Sequence, residues 1–410
     1  MFFTPGEKLI RFRKRYKITQ ADLAGDDLSR TSLGMIETGK RSLTSNLAKF
    51  LEENLTKIFK ERGITDKIDM EELLKSKEVQ AKEYLNQIML EDISEITNSM
   101  WTIDEAIILI NDIDKSYFSK LLYKKYFNND DLTNAKKYLI NYFHYYNERE
   151  NPILEIIDMM KINNRLLKYR ENIDVYETFY SIIYTKENAE YFTNVRVFYA
   201  EALYKSNHTN KAIENLMFFM KKAKNENDFY IFRKILCDAY AYSGKYENAI
   251  EEYVSLAKGK IDSVKALLYS CVLDIANKTK NQEIMKKFYN RTRDLSHIAD
   301  FENMEDKYFI DTVLGKIAFH LGKNDESQSF YLNAFEIGKD LHGKIDSQMF
   351  LLGSLFDILD VKDFQVLVQL EEEYRKLLQL KEDYRPAIKL IDFYRRNMPI
   401  ELAEKISLYK

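Results

Sequence analysis

The chain is poor in the residues that end helices. Its 410 residues include 4 prolines and 12 glycines, far below ordinary usage. A large β-sheet needs many Gly- and Pro-rich turns, so it is excluded, and an almost wholly α-helical chain is expected. Cysteine is scarce too. Cys237 and Cys271 stand in apolar helical contexts and make neither a disulfide framework nor a metal-ligand spacing. They read as buried thiols in a reducing cytoplasm. The five histidines (His144, His208, His297, His320 and His342) are scattered, without HExxH or any paired metal spacing. There is no P-loop and no nucleophile elbow, and "LGKNDES" at 321–327 reads as a turn. No enzyme activity, cofactor or metal is therefore expected. No apolar run approaches the roughly 18 residues of a membrane span. "MFFTPGEKLIRFRKRYK" lacks the apolar core of a secretory signal. A cytoplasmic chain with no membrane partner is expected.

What is present is long, aromatic and unevenly charged. A chain of 410 residues exceeds one ordinary core, so several domains or a repeat array are expected. The 29 Tyr and 25 Phe read mainly as fillers of helix–helix interfaces. The net charge of −3 hides an asymmetry. Residues 1–62 hold 13 Lys/Arg against 8 Asp/Glu, which leaves 49 against 57 in the remainder. A basic head on an acidic body suits a nucleic-acid-binding module attached to something that is not one.

The basic head reads as short helices. Gly6 to about Tyr16 is the first. Thr19 can cap "QADLA", "GDDL" turns, Ser29 can cap "RTSLGMIET", and Gly39 can stop that helix. Leu23, Ala24, Leu33 and Ile36 supply a small core between the second and third helices. A helix-turn-helix sets its second helix in the major groove and reads base edges with that helix's first residues. Arg30, Thr31 and Ser32 sit at that start, and Met35 follows one turn on. Gln20 opens the preceding helix, where its amide and backbone N–H groups suit a phosphate. Lys40 and Arg41 suit the DNA backbone, whereas Glu37 is expected to cap or pair locally. Gly34 inside the third helix costs about 1 kcal/mol relative to Ala; it either weakens that helix or marks a close approach to DNA.

Behind the head runs a series of amphipathic helices. "AEALYKSNHTNKAIENLMFFMKKA", "CDAYAYSGKYENAIEEYVSLAKG" and "GKIAFHLGKNDESQSFYLNAFEIG" superpose. Ala212 and Ala249 lie 37 residues apart, and Gly244 and Gly322 lie 78 apart. "NDDLTNAKKYLINYFHYY" around Ala135 reads as an earlier, more degenerate unit. Small residues pair twelve apart: Ala200 with Ala212, Cys237 with Ala249, and Gly315 with Ser327. Such a period means stacked helix hairpins, and an irregular helical domain is the alternative. The hairpins resemble the tetratricopeptide repeat, except that its first-helix aromatic is replaced by Arg196, Arg233 and Asp311. The resemblance implies a right-handed α-solenoid. Its inner face would carry Asn194, Glu201, Tyr204, Lys234, Asp238, Thr312 and Lys316, with Asn163, Asn164 and Arg165 on a further inner helix. Such groups can bond the backbone of an extended peptide.

"TQADLAGDDLSRTSLGMIETGKRSLT" resembles the Cro/repressor (XRE) class of helix-turn-helix. Its short "LAGDDLSR" turn and the helical repeats behind it resemble the Rgg/PlcR-type (RRNPP) peptide-responsive regulators. That likeness implies an all-α fold with three parts: a DNA-binding domain over 1–64, a linker over 65–75, and a repeat domain over 76–410 that binds peptide and dimerises. It implies a quorum-sensing transcription regulator that binds double-stranded DNA as a homodimer under control of a short signalling peptide. Arg30, Thr31, Ser32 and Met35 would read bases, with Arg30 to guanine the foremost contact, and Gln20, Lys40 and Arg41 would hold the backbone. The repeat-domain segment "DFQVLVQLEEEYRKLLQL" is the expected dimer surface. Met35 departs from the polar or basic residue usual at its position. The alternatives are a helical-repeat protein–protein adaptor and a phage-type repressor controlled by a protein partner.

Overall fold

A computed structural model describes residues 2–66, 69–92, 100–147, 150–341, 345–359, 364–381 and 387–397. The described residues are all-α, with no strand among them, and form a helical-repeat array. No helix among them is long and apolar enough to cross a membrane. The chain divides into two compact units, Met1–Leu166 and Leu167–Lys410. The expected domain boundary at 64–75 falls inside the first unit.

In the first unit the local rules act at nearly every helix start. Helix α1 (Pro5–Arg15) begins with Thr4 and Glu7 in a reciprocal capping box, and α2 (Gln20–Ala24) does the same with Thr19 and Asp22. Ser29 accepts from the Ser32 N–H to start α3 (Arg30–Glu37), and Thr44 caps α4 (Ser45–Arg62). Each such cap stabilises its helix by about 1 kcal/mol. Leu9, Leu23, Leu33, Leu51 and Leu55 are fully buried at the centre of these helices, each contributing roughly 1.5–3 kcal/mol. Gly6 is required where α1 crosses α3, since a Cβ there would lie 2.3 Å from the Ile36 carbonyl oxygen. The stretch expected as a linker contains a short helix, α5 (Met70–Leu74), whose Leu73 joins the same core.

Beyond it lie α6 (Lys77–Leu90), α7 (Met100–Leu109), α8 (Asp112–Asn128), α9 (Leu132–Tyr145) and α10 (Ile153–Arg165). Helices α8 and α9 form an antiparallel hairpin with Tyr123 and Ala135 buried between them.

The second unit opens with α11 (Tyr169–Thr178), α12 (Tyr180–Ile183) and a 3-10 turn, Lys186–Tyr191. Helix pairs follow: α13 (Phe192–Lys205) with α14 (Thr209–Lys221), α15 (Glu226–Tyr242) with α16 (Tyr246–Leu256), α17 (Asp262–Lys278) with α18 (Gln282–Ile298), and α19 (Met304–His320) with α20 (Asn324–Lys339). Then come α21 (Ile345–Ile358), α22 (Phe364–Lys381) and α23 (Ile388–Asn397). The segment expected as a dimer surface is largely α22; the side chains of 363–368 lie outside the described residues.

The repeat is written most plainly in the backbone. Asp130, Leu167, Asn207, Gly244, Lys280 and Gly322 all have left-handed φ, between 54° and 76°. Their spacings are 37, 40, 37, 36 and 42 residues. At five of them the next N–H reaches back to close the preceding helix: Asp131 to Tyr126 O at 3.0 Å, His208 to Leu203 O at 2.8 Å, and Lys245 to Tyr240 O, Asn281 to Ala276 O and Lys323 to Ala318 O, each at 2.9 Å. This is the Schellman closure, in which one left-handed residue satisfies otherwise orphaned carbonyls. Gly is the cheapest residue there; only two of the six are Gly, so four units accept strain that a composition count cannot reveal.

The small pairs twelve residues apart sit where the paired helices meet. Ala200, Ala212, Cys237, Ala249, Gly315 and Ser327 are fully or almost fully buried, and Ser327 Oγ donates to Gly315 O at 2.8 Å. A Cβ on Gly315 would meet the Tyr331 ring at 2.6 Å. Gly315→Ala is therefore predicted to destabilise the chain by about 1–3 kcal/mol through overpacking, read as a lower urea midpoint. An unchanged midpoint would remove the close approach of α19 and α20.

Candidate nucleic-acid interface and the inner side of the repeats

Helix α3 buries Leu33, Ile36 and Glu37 and turns Arg30, Thr31 and Met35 to solvent. Lys40 and Arg41 follow it, both exposed. Ser32 is half-buried, and its hydroxyl meets the Ser29 hydroxyl at 2.9 Å, so it serves the cap.

Glu37, 4% exposed, is held by two partners. The Arg13 guanidinium reaches it in a fork, Nε to Oε1 at 2.8 Å and Nη2 to Oε2 at 3.2 Å. Gln20 Nε2 donates to its Oε2 at 2.6 Å. Arg13 also donates to Ile18 O at 3.0 Å. Glu37 thus pairs not locally, as expected, but across the unit, and one carboxylate ties α1, α2 and α3 together.

Gln20 is placed differently from the expected phosphate contact. Its amide N–H serves Glu37, while its Oε1 accepts from Arg30 Nε at 3.4 Å. The residue spans from the buried ion pair to the start of α3. The same side carries an open cleft lined by Arg13, Lys14, Lys17, Thr19, Gln20 and Arg30, with no carboxylate in its lining. Lys14, in the last turn of α1, and Lys17, just beyond its end, belong to the basic head but had no assigned role; their place beside the end of α1 was the available signal. Gly34 faces open space, since a Cβ would meet only Gln20 Nε2, at an ordinary 3.7 Å.

The inner-face candidates divide between the two units. Asn163, Asn164 and Arg165 belong to the first. Asn163, expected at a ligand surface, is instead wholly buried. It falls on the apolar stripe of α10 with Ile156 and Met160, at helical spacing. Asn164 is half-buried, and Arg165 is exposed and paired with Asp130.

In the second unit Asn194 is exposed and Tyr204 is 5% exposed. Burial raises the Tyr204 hydroxyl's pKa, and Asp238 and Glu201 add to the shift. Glu201 accepts from Lys205 at 2.5 Å. Lys234 lies 3.5 Å from Asp238, which also accepts the Tyr253 hydroxyl. Burial opposes the Lys234 charge, but Asp238, with Cys271 and Tyr230, more than offsets it and its pKa is raised. Burial pushes the Cys271 thiol up to about 12. Thr312 returns its hydroxyl to Tyr308 O at 2.8 Å in its own helix. Lys316 lies 4.7 Å from the centre of the Phe350 ring, and burial lowers its pKa against the pull of Asp274.

Asp274 was missed. Glu201, Asp238, Asp274 and Lys316 each stand six residues before a left-handed turn residue, so they share one register. The turn that sets its register is made by Lys280, which carries no turn signal in the sequence.

No family model matches the chain, and no curated protein matches it. Among solved structures it is similar to BtubC (BKLC) from P. vanneervenii, at 14% identity and TM-score 0.38, covering 58% of this chain and 95% of that one. It is also similar to Bacillus thuringiensis PlcR, solved in complex with the peptide PapR7 and DNA. That match has 13% identity and TM-score 0.18, and covers 80% of this chain and 98% of PlcR. Scores this low carry no argument about function, so the functional reading rests on this chain's own residues.

Two substitutions test the packing of the site. Arg13→Met leaves Glu37 buried without its cation and should destabilise by roughly 3–5 kcal/mol in urea unfolding. Gly34→Ala should raise stability by roughly 0.5–1 kcal/mol, because the added methyl meets no clash and favours the helix; a loss would show that α3 is more crowded than its surroundings indicate.

Proposed function

We propose that this chain is a non-enzymatic, DNA-binding transcription regulator. The observation that carries the reading is the outer side of α3. Arg30, Thr31 and Met35 stand exposed at the positions that reach base edges in a helix-turn-helix. They are flanked by exposed Lys14, Lys17, Lys40 and Arg41. Arg30 reads a guanine through its fork, Met35 offers an apolar contact to a thymine methyl, and the lysines and Arg41 meet phosphates. Two copies joined through their repeat domains would place two reading helices on two half-sites.

The second part of the proposal is control by a short peptide held along the inner side of the repeats. The register-matched row of Glu201, Asp238, Asp274 and Lys316, with Lys234 and Tyr204 beside it, supports this part. Charged groups recurring once per repeat suit the regular backbone of an extended peptide. A peptide that bound one dimer arrangement better than another would shift the population between them.

Footprinting on DNA upstream of the chain's own gene locates the operator. Arg30→Ala should weaken the specific site by about 1–3 kcal/mol and relax its sequence preference; unchanged affinity removes α3 as the reader. Lys40→Ala should weaken binding to all sequences alike and lower the salt slope by about one unit. For the second part, titration calorimetry with short peptides encoded beside the gene should show binding that Asp238→Asn weakens. If none binds, peptide control fails and the DNA reading stands on its own assay.

A further inference from the structure

Arg196, Arg233 and Asp311 each stand eleven residues before a left-handed turn residue. This is the place where a regular repeat would carry an aromatic ring. Two of the three have charged or polar partners on their own or a neighbouring helix. Arg233 donates to Glu252 at 2.7 Å and to Ser255 at 3.0 Å. Asp311 accepts from Lys307 at 2.7 Å, from Ser296 at 3.3 Å, and from Asn333.

Arg196 differs. Glu252 and Ser255 come three and six residues after Ala249, and the matching residues after Ala212 are Asn215 and Phe218. The carboxylate and hydroxyl that hold Arg233 are thus replaced by an amide and a ring. Arg196 Nε donates to the Tyr184 hydroxyl at 3.3 Å. Its guanidinium stacks among Tyr184, Phe192 and Phe219, 5.4, 5.3 and 5.0 Å from the ring centres. It pairs with no carboxylate among the described residues, although it is half-buried. A cation partly withdrawn from water among rings gains from a counter-charge.

The place that a counter-charge could fill is an open cavity of about 600 Å³, within the range of small-molecule sites. Its lining holds Arg196, Lys222 and Lys224, seven aromatic rings and Asn215, and no carboxylate. Lys224 is set at the rim by its bond to Ala189 O at 3.1 Å. Tyr180 and Phe218 are 55% and 53% exposed, so their rings are open to a partner. Tyr176 and Tyr199 form the stacked floor, with ring centres 3.8 Å apart and planes 11° apart.

We propose that this cavity binds a small molecule in which a planar ring carries a phosphate, of the size of a nucleoside monophosphate. The ring stacks on Tyr180 or Phe218. The phosphate supplies the counter-charge to Arg196, whose remaining donors suit it. Two further lysines are more than a single carboxylate would use, which favours the doubly charged group. The site shares no residue with α3 or with the row of Glu201, Asp238, Asp274 and Lys316.

Calorimetry on the intact chain with four probes tests this: adenosine 5′-monophosphate, phenyl phosphate, inorganic phosphate and adenosine. The two ring phosphates should bind, and the other two should bind roughly tenfold or more weakly, since each lacks half of the recognition. Arg196→Gln should weaken adenosine monophosphate roughly tenfold or more, with Arg196→Lys recovering part of the loss. Lys222→Gln, at an exposed position, should weaken it severalfold and steepen no melting curve; it keeps the test valid if Arg196→Gln fails to fold. No binding by either ring phosphate overturns the proposal. So does equal binding of adenosine and its monophosphate, or binding indifferent to both Arg196→Gln and Lys222→Gln.

Discussion

The N-terminal helices depend on a single buried carboxylate. Helix α3 is only eight residues long and α2 only five, too short to persist alone in water. Their orientation has to come from tertiary contacts. Apolar burial supplies the attraction, but it is non-directional. The fork from Arg13 to Glu37 adds direction, because a guanidinium meets a carboxylate in one plane and one register. Gln20 then extends the same bond pattern to Arg30. An exposed side chain at the start of α3 is therefore positioned by a chain of polar contacts beginning in the core.

The repeats are ordered differently. Their constant element is a backbone conformation, the left-handed residue, closed at five of six turns by the hydrogen bond behind it, and the side chains around it vary. Charged residues stand where aromatics would fill a regular hairpin, and two of them find partners on the facing helix. The core absorbs the variation with stacked tyrosines and phenylalanines, such as Tyr126 on Tyr138. Tyrosine suits such places because its ring packs while its hydroxyl finds a polar partner, as Tyr138 finds Asp104 at 3.1 Å.

Much of this was legible beforehand. The caps at Thr19 and Ser29, the stop at Gly39 and the core of Leu23, Leu33 and Ile36 are local signals, and they act locally. The small pairs twelve apart were legible because close helix contact tolerates few side chains. The Arg13–Glu37 pair was not, since 24 residues separate its members and nothing in either neighbourhood names the other. Asn163 was misplaced because its polarity suggested a surface, whereas its spacing from Ile156 and Met160 puts it in the interior. Asp274 went unseen because its turn is made by Lys280, a residue that does not advertise a left-handed conformation.

A turn fixed by backbone geometry does not dictate the charge of the side chains six and eleven places before it. The residues six and eleven places before each turn have already taken opposite charges in different units, Asp238 and Lys316 at one, Arg233 and Asp311 at the other. The hairpins around them kept the same closure. Such a scaffold can exchange the charge and shape of its lining one residue at a time without refolding. The charge pattern of the repeats can then change by single substitutions, independently in each hairpin.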